Sequence, residues 1–318
     1  MDHLKTLLFV ALLSQVGCTS KSLPEYRVLQ SLRVISLHID SPEINYDGTT
    51  FTPSTLSLTP LISDLYGSGR SLSYSLQWCL DPGISLGATP QCTGNPTLTQ
   101  VATGQTVSTT ATFASPNYTG YLSSISVNLS AASTTAFSLI SEKFLNSSLP
   151  EQYDGLALIL VFNVYVTGSP SIGDTAFKRV VFSTTAKTKN ANPTGLVVQD
   201  GTGTTISDLV NGAGYLAYLP TTAAETYSWM DSLGNLSSLT ETLVSTWFLT
   251  GPEDPTCAND TSCTTDGLFG ATRTNYGSYN YFTAPNTIPT NRGRVLVVVT
   301  RDNRGGNTSA RYVFGTGP

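Results

Sequence analysis

The sequence predicts an all-β protein, and three observations lead to that class. Segments of alternating or continuous apolar residues recur along the whole chain, and clusters of turn-forming residues separate them. Charged residues make up only 12% of the 318 residues, about half of the ~25% found in ordinary globular proteins. This composition argues against a helix-rich cytosolic enzyme, and the recurring β-branched runs argue against a disordered chain.

The period of two defines the strands of the first half. Ile35, Leu37 and Ile39 share one face of a first strand. Residues 156–166 are apolar on both faces, which indicates a central strand. Further strands are predicted over 72–78 and 177–183. Apolar residues at helical spacing in 137–144 predict one short helix.

The second half repeats the arrangement of the first. The apolar segment 293–300, a turn at 302–307 and a shorter strand at 310–314 form a hairpin like the one at the end of the first half. Trp78 in the first half corresponds to Trp247 in the second, and we expect both indoles in a core between two sheets. Two short motifs also correspond: Asp47-Gly48-Thr49 and Asp200-Gly201-Thr202.

Two β-sandwich domains follow from this repeat. The boundary falls in the polar stretch 187–193, so that the first domain covers 26–187 and the second covers 190–316. Both exceed the ~100 residues of a minimal immunoglobulin-like sandwich, a fold that carries a buried Trp on an inner strand. We therefore expect tandem immunoglobulin-like sandwiches with one short helix and long loops, chiefly at 83–105 and 251–279.

The first residues have the pattern of an export signal. Residues 6–13 form an apolar run of eight, shorter than the ~20 residues of a membrane-spanning helix, and fit a signal peptide over 1–17. A small residue then stands directly before Cys18, as in the bacterial lipobox. We expect an acylated Cys18 and a short tether over 18–25. The alternative is an ordinary signal peptide cleaved near Gly17.

Cysteine usage supports this interpretation. The chain has five Cys, and a lipid on Cys18 leaves an even set in an exported protein. The other four form two sequence-local pairs, Cys79 with Cys92 and Cys257 with Cys263. We expect both pairs to be disulfides formed in an oxidising compartment. The alternative is a zinc site, for which Cys residues divided in this way are a poor ligand set.

The sequence offers little for catalysis. His38 is the one His outside the signal peptide, and its place in a strand pattern predicts that it faces out of a sheet rather than serving a Ser-His-Asp triad. The carboxylates considered for glycosidase chemistry show no arrangement and are expected to be structural: Glu142, Glu151, Glu225 and Glu241. We predict that the protein is not an enzyme and that it uses no cofactor and no metal.

A Tyr-rich segment is the candidate binding surface. Tyr276, Tyr279 and Tyr281 lie close together, and Tyr provides rigid amphipathic contact area that can stack on a sugar. The alternative is an ordinary strand with Tyr279 and Tyr281 on one face and Phe282 in the core.

An acidic loop is a candidate calcium-binding site. Asp254, Asp260 and Asp266 surround the Cys257–Cys263 pair, and together with Glu253 they could supply oxygen ligands for Ca²⁺. Their spacing matches no known calcium loop, and solvated carboxylates are the alternative.

Motifs spread over most of the chain carry a resemblance. They are Cys18 after the apolar run, the opening 27–43 that ends in Ser-Pro-Glu, and the segments 74–81, 246–251 and 297–306. With these motifs the chain resembles uncharacterised lipoproteins of predatory and related bacteria that have tandem immunoglobulin-like or PKD-like domains. The resemblance implies an exported, lipid-anchored envelope protein without a known activity.

We therefore expect a non-enzymatic, membrane-anchored lipoprotein of the cell envelope or surface with a structural or protein-interaction role. Its partners would be the membrane and a protein or glycan on the cell surface. The absence of an acidic residue at Thr19 and Ser20 favours the outer membrane. The alternative is an adhesin or glycan-binding lipoprotein that uses the Tyr-rich segment. The net charge of −5 without a Lys/Arg cluster argues against a nucleic-acid partner.

Overall fold

The computed structural model describes most of the chain from residue 32 to residue 314. The described ranges are 32–64, 70–80, 99–107, 118–129, 135–184, 196–210, 212–219, 224–250, 274–275, 279–283, 294–302 and 304–314. We call residues 32–184 the N-terminal half and residues 196–314 the C-terminal half. The predicted domain boundary lies between them, outside the described residues, as do the predicted signal peptide and tether.

The structure confirms the all-β class. The strands of the N-terminal half are β1 (Arg33–Ile39), β2 (Glu43–Tyr46), β3 (Phe51–Thr52), β4 (Thr55–Asp64), β5 (Leu72–Leu80), β6 (Thr99–Val107), β7 (Tyr118–Tyr121), β8 (Ile125–Asn128), β9 (Leu156–Val166) and β10 (Ser169–Ser183). Those of the C-terminal half are β11 (Val197–Asp200), β12 (Gly214–Tyr218), β13 (Thr226–Met230), β14 (Leu236–Thr240), β15 (Val244–Thr250), β16 (Thr274–Asn275), β17 (Tyr279–Thr283), β18 (Arg294–Arg301) and β19 (Asn307–Phe314).

The N-terminal half is a β-sandwich. Sheet A has the order β1-β4-β7, with β8 also paired to β4, and sheet B has the order β3-β2-β10-β9-β5-β6. Leu37 and Leu58 of sheet A share one buried cluster with Trp78, Phe162 and Phe182 of sheet B. The strand β9 lies between β10 and β5, as its two apolar faces predict, because a central strand of a covered sheet is buried on both sides.

The first strand departs from the predicted alternation. Its register against β4 shifts between Val34 and Ser36, so Ile35 occupies an irregular position in the ladder. Leu37 and Ile39 enter the core of the N-terminal sandwich, whereas Ile35 packs in a separate cluster. The expectation that Ile35 shares their face is therefore wrong, because one extra residue in the strand reverses the direction of the side chains before it.

The C-terminal half forms a second sandwich. Sheet C has the order β11-β12-β17 and sheet E the order β16-β15-β18-β19. Val198 and Tyr215 of sheet C share a buried cluster with Trp247 and Val298 of sheet E. The strands β13 and β14 pair with each other as a hairpin, sheet D.

The internal repeat exists in three dimensions. Trp78 on β5 lies opposite Leu160 on β9, and Trp247 on β15 lies opposite Val298 on β18. In each half the second of these strands continues into a hairpin, β9–β10 or β18–β19. Both indoles are at most 1% exposed, which confirms the prediction that they fill the cores.

In both corresponding Asp-Gly-Thr motifs the Asp side chain closes a turn, which is one residue longer in the second motif. The Oδ1 atom of Asp47 accepts hydrogen bonds from the backbone N–H groups of Thr49 and Thr50. In the same way, Oδ1 of Asp200 accepts from the N–H groups of Thr202 and Thr204. Hydrogen bonding to the charged carboxylate lowers the pKa of both Asp side chains.

Two helices occur in the described residues, where the sequence predicted one. The predicted helix is α1 (Thr135–Leu145), and its Ile140 and Phe144 side chains join the core of the N-terminal sandwich. The helix α2 (Leu149–Asp154) was not predicted. Its signal is nevertheless in the sequence, because Ser148 and Glu151 form a capping box. Neither helix is long and apolar enough to cross a membrane.

The two sandwiches are joined by an apolar contact between their facing sheets. Ile35 and Leu61 on the outer side of sheet A pack against Phe248, Val297 and Val299 on the outer side of sheet E. Sheet A therefore packs against sheet B through one face and against sheet E through the other, and sheet E also packs against sheet C. We call the surface where the two halves meet the interdomain seam.

Candidate functional site

The predicted lipidation and disulfide sites lie largely outside the described residues. This holds for Cys18, Cys92, Cys257 and Cys263. The backbone of Cys79 lies on β5 opposite Ile159, but its side chain is outside the described part. Acylation and the two disulfides stay predictions. The acidic loop with Asp254, Asp260 and Asp266 is also outside the described residues.

The structure places part of the Tyr-rich segment on the surface. Tyr279 and Tyr281 lie on β17 and expose 53% and 66% of their area. Their ring centroids are 5.8 Å apart and the rings are nearly perpendicular, with an interplanar angle of 74°. Asn280 between them is buried on the opposite side of the strand. Tyr276 and the side chain of Phe282 are outside the described residues.

A buried ionic cluster occupies one part of the interdomain seam. Arg304, in the turn between β18 and β19, donates from Nη1 to Oε1 of Glu241 at 2.7 Å. It also donates from Nε to Oε1 of Glu43 at 3.3 Å, and from Nη2 to the other oxygen of that carboxylate. The guanidinium carbon lies 4.5 Å from the ring centroid of Tyr227. The three charged side chains are 6%, 1% and 10% exposed for Arg304, Glu241 and Glu43 respectively.

Burial governs the electrostatics of this cluster. Removal from water raises the pKa of Glu241, and the nearby charge of Asp302 acts in the same direction. Arg304 and the backbone N–H of Glu225 oppose that shift, because both stabilise the charged carboxylate. Arg304 therefore favours the charged form of Glu241 against the effect of burial.

A second polar group lies further along the seam, around Asn307 at the start of β19. Lys178 on β10 donates from Nζ to Oδ1 of Asn307 at 2.8 Å, although the residues are 129 positions apart. The Nδ2 atom of Asn307 donates to Oγ of Ser36 at 3.0 Å. The backbone oxygen of Asn307 lies 2.8 Å from Nδ1 of His38. The second half therefore inserts one amide side chain between β1 and β10 of the first.

The side-chain amine of Lys178, a basic residue of the seam, has a strongly shifted pKa. Only 5% of its area is exposed, and burial lowers the pKa of its amine to about 7. The negative charge of Asp302 opposes this shift and the positive charge of Arg301 adds to it. The Oδ1 atom of Asp302 accepts hydrogen bonds from the N–H groups of Arg304 and Gly306. Its Oδ2 atom is buried and has no hydrogen-bond partner among the described residues.

Of the carboxylates considered for catalysis, Glu225 and Glu241 are neighbours, because the backbone N–H of Glu225 donates to Oε2 of Glu241 at 3.1 Å. Glu241 belongs to the ionic cluster, whereas Glu151 caps α2. Glu142 lies on α1. Within the described part of the chain, no group of three or more His, Cys, Asp or Glu side chains could hold a metal ion.

His38 faces away from its own core, as its position in the strand predicts, but it meets the other half rather than solvent. One further motif bears on it. Residues 83–87 read Gly-Ile-Ser-Leu-Gly, the Gly-x-Ser-x-Gly pattern of a nucleophile elbow, and lie outside the described residues. A triad built on Ser85 would need His38, whose Nδ1 is engaged with the backbone of Asn307.

The seam residues were not recognised as a site in the sequence, although two of them lie in conspicuous motifs. Glu43 ends the Ser-Pro-Glu motif of the first half, and Arg304 lies in the 302–307 turn of the second. The turn itself is confirmed, since Gly305 has φ +92° and the segment joins β18 to β19. Nothing in the local sequence indicates that its Arg and Asn side chains reach a different domain.

Comparisons with known proteins give only distant structural similarities. No protein-family model and no curated protein matches the chain. A mutant of Salmonella alpha-2-macroglobulin aligns over 88% of this chain and 16% of its own, with 8% identity and a TM-score of 0.24. The major pilin subunit BcpA of Bacillus cereus aligns over 65% of this chain and 63% of its own, with 10% identity and a TM-score of 0.24. The chain thus spans less than two thirds of either protein, and TM-scores this low carry no argument about function.

Proposed function

We propose that the protein is a non-enzymatic, membrane-anchored lipoprotein of the cell envelope or surface with a structural or protein-interaction role. The observation that carries the proposal is the interdomain seam. It combines an apolar contact, a buried ionic cluster and a hydrogen-bonded amide between the two sandwiches. A seam of this kind limits movement between the two halves. The C-terminal half is then held at a fixed position relative to the proposed anchor at Cys18.

A fourth contact supports the same interpretation. The Oδ1 atom of Asp154 in α2 accepts from the backbone N–H of Met230 in the β13–β14 hairpin at 2.8 Å. Nearby, the hydroxyl groups of Tyr153 and Ser228 are 2.7 Å apart. The halves are therefore held at the edge of the seam as well as at its centre, which limits their relative rotation.

The anchor is tested by detergent partitioning and intact mass. The wild-type protein should enter the detergent phase and carry the added mass of a diacylglyceryl group, and Cys18→Ala should lose both properties. Cys79→Ala is the matched control, because it removes a different Cys and should leave the lipid in place. A wild-type protein that stays in the aqueous phase without added mass would contradict the lipoprotein assignment.

A second candidate function is glycan binding, and the exposed pair Tyr279 and Tyr281 favours it. Two aromatic rings at the surface offer a platform on which the apolar face of a sugar can stack. The double variant Tyr279→Ala/Tyr281→Ala should lose binding on a glycan array without a change in melting temperature. Leu233→Ala, at a residue that is 85% exposed elsewhere, is the control. Unchanged glycan binding in the double variant would exclude this surface.

A further inference from the structure

Lys178 and Asn307 bring together the two functional groups of a reactive pair, an amine and a side-chain amide. A buried Lys is ordinarily paired with a carboxylate, since burying an ammonium group without a negative partner is costly. Here the amine nitrogen instead lies 2.8 Å from the carbonyl oxygen of a side-chain amide. The carbonyl bond is about 1.2 Å long, so the nitrogen lies within about 4 Å of Cγ of Asn307. This is close to the ~3–3.5 Å separation of a near-attack geometry.

The surroundings of the pair provide a nucleophile. Burial keeps the pKa of the Lys178 amine at about 7, so a large part of it is neutral near neutral pH and has a free lone pair. The nearby Arg301 acts in the same direction because a like charge disfavours the ammonium form.

The surroundings also provide a fixed electrophile and a proton carrier. The hydrogen bond from Nδ2 of Asn307 to Oγ of Ser36 holds the amide in one orientation. Asp302 lies at the other end of the same turn, is close enough for its charge to act on Lys178, and has a buried oxygen with no partner among the described residues. Because no hydrogen bond joins this oxygen to Lys178, a carboxylate in this position can take up the proton of the amine through one bridging water and return it to the departing nitrogen.

We propose that Lys178 and Asn307 are joined by an intramolecular isopeptide bond between the two halves. The lone pair of Nζ attacks Cγ and the Nζ–Cγ bond forms. One proton of the amine passes through the Asp302 carboxylate to Nδ2, the Cγ–Nδ2 bond breaks, and one molecule of ammonia leaves. The reaction exchanges one amide for another and needs no oxidant, reductant or external reactant. Its product is a covalent link that fixes the interdomain seam.

Intact mass spectrometry of the reduced and denatured chain tests the proposal. After correction for the substitutions, the wild-type protein should be lighter than both Lys178→Arg and Asn307→Ala by one molecule of ammonia. Asp302→Asn keeps the Oδ1 acceptor of the two N–H groups in the turn, so it should fold and yet retain the full mass, because the carboxylate that carries the proton is missing. Lys143→Arg is the matched control, since Nζ of Lys143 donates to the backbone oxygen of Ala157 at 3.1 Å.

Peptide mapping of the wild-type chain provides the decisive measurement without any variant. It should yield one branched peptide that joins residue 178 to residue 307, and trypsin should no longer cut after Lys178. Cyclisation of an Asn side chain onto its own backbone also releases ammonia, but it leaves the two peptides separate. A wild-type chain of full mass, or separate peptides containing residues 178 and 307, would show that the pair is only hydrogen-bonded. The lipid anchor is measured at Cys18 and is independent of this result.

Discussion

Removing the guanidinium of Arg304 should destabilise the folded chain by about 3–5 kcal/mol, because it leaves two carboxylates in the seam without their counter-charge. Glu241 and Glu43 have side chains only 1% and 10% exposed, so water cannot replace the lost partner. The cation–π contact with Tyr227 adds about 1 kcal/mol to the loss. An ion pair exposed to solvent would contribute only ~0–1 kcal/mol to stability. The larger loss is expected here because the Arg304 cluster is buried.

The effect of Arg304→Ala should depend on pH in a defined direction. The pKa of Glu241 is already raised in the folded state by burial, and Arg304 opposes that shift. Without Arg304 the folded-state pKa rises further, so the folded protein binds a proton that the unfolded chain releases above its ordinary pKa of ~4.3. Stability of the variant should therefore fall as the pH rises above about 4, and the difference from wild type should be larger at pH 8 than at pH 5.

Urea denaturation of the soluble Cys18→Ala background, followed by intrinsic fluorescence at both pH values, measures this difference. Arg311→Ala is the matched control, because its exposed guanidinium lies 5.8 Å from the ring centroid of Tyr121 across the same seam. We expect that control to cost less than about 1 kcal/mol. The triple variant Glu43→Gln/Glu241→Gln/Arg304→Met should recover much of the stability, since no charge is left buried. A loss below about 1 kcal/mol for Arg304→Ala, independent of pH, would refute the reasoning.

The remaining predictions concern the cores, a helix cap and the repeated turns. Trp78→Ala and Trp247→Ala should each cost about 3–5 kcal/mol in denaturant unfolding, because both indoles are fully buried; a loss under about 1 kcal/mol would contradict their core role. Ser148→Ala should cost about 1 kcal/mol through the lost cap of α2, and a Thr replacement should restore most of it. Asp47→Ala and Asp200→Ala should lower the melting temperature at neutral pH. Since the pKa of both carboxylates is lowered in the folded state, this difference should begin to shrink as the pH falls below about 4 and should be lost only below the lowered folded-state pKa. A difference that does not shrink in acid would count against the turn bonds.

Local patterns in the sequence predicted some of the elements, chiefly β1, β5, β9, α1 and the β18–β19 hairpin. The strands over 33–39 and 156–166 have the bounds that the apolar patterns predict. The exposed positions of Tyr279 and Tyr281 on one face of β17 also follow from the period of two. The helix α2 could have been predicted as well, since its capping box is a local signal between Ser148 and Glu151.

The contacts of the interdomain seam could not be predicted from local sequence patterns. Lys178 and Asn307 are 129 residues apart, and Glu43 and Arg304 are 261 apart, so no local period connects them. The 302–307 segment has the composition of a turn and is one. Its Arg and Asn side chains acquire their role only because the outer faces of sheets A and E pack together.

The sequence by itself determined the β class, the repeat and the two buried Trp residues, because each of these depends on neighbours along the strand or on the volume of one side chain. The tertiary structure decided which charged and polar residues became buried partners. That outcome depends on how two complete sandwiches dock, since the cost of burying Glu241, Arg304 and Lys178 appears only when water is excluded from both sides of the seam. A single irregularity in β1, which turns Ile35 from the core toward the second domain, is part of the same docking.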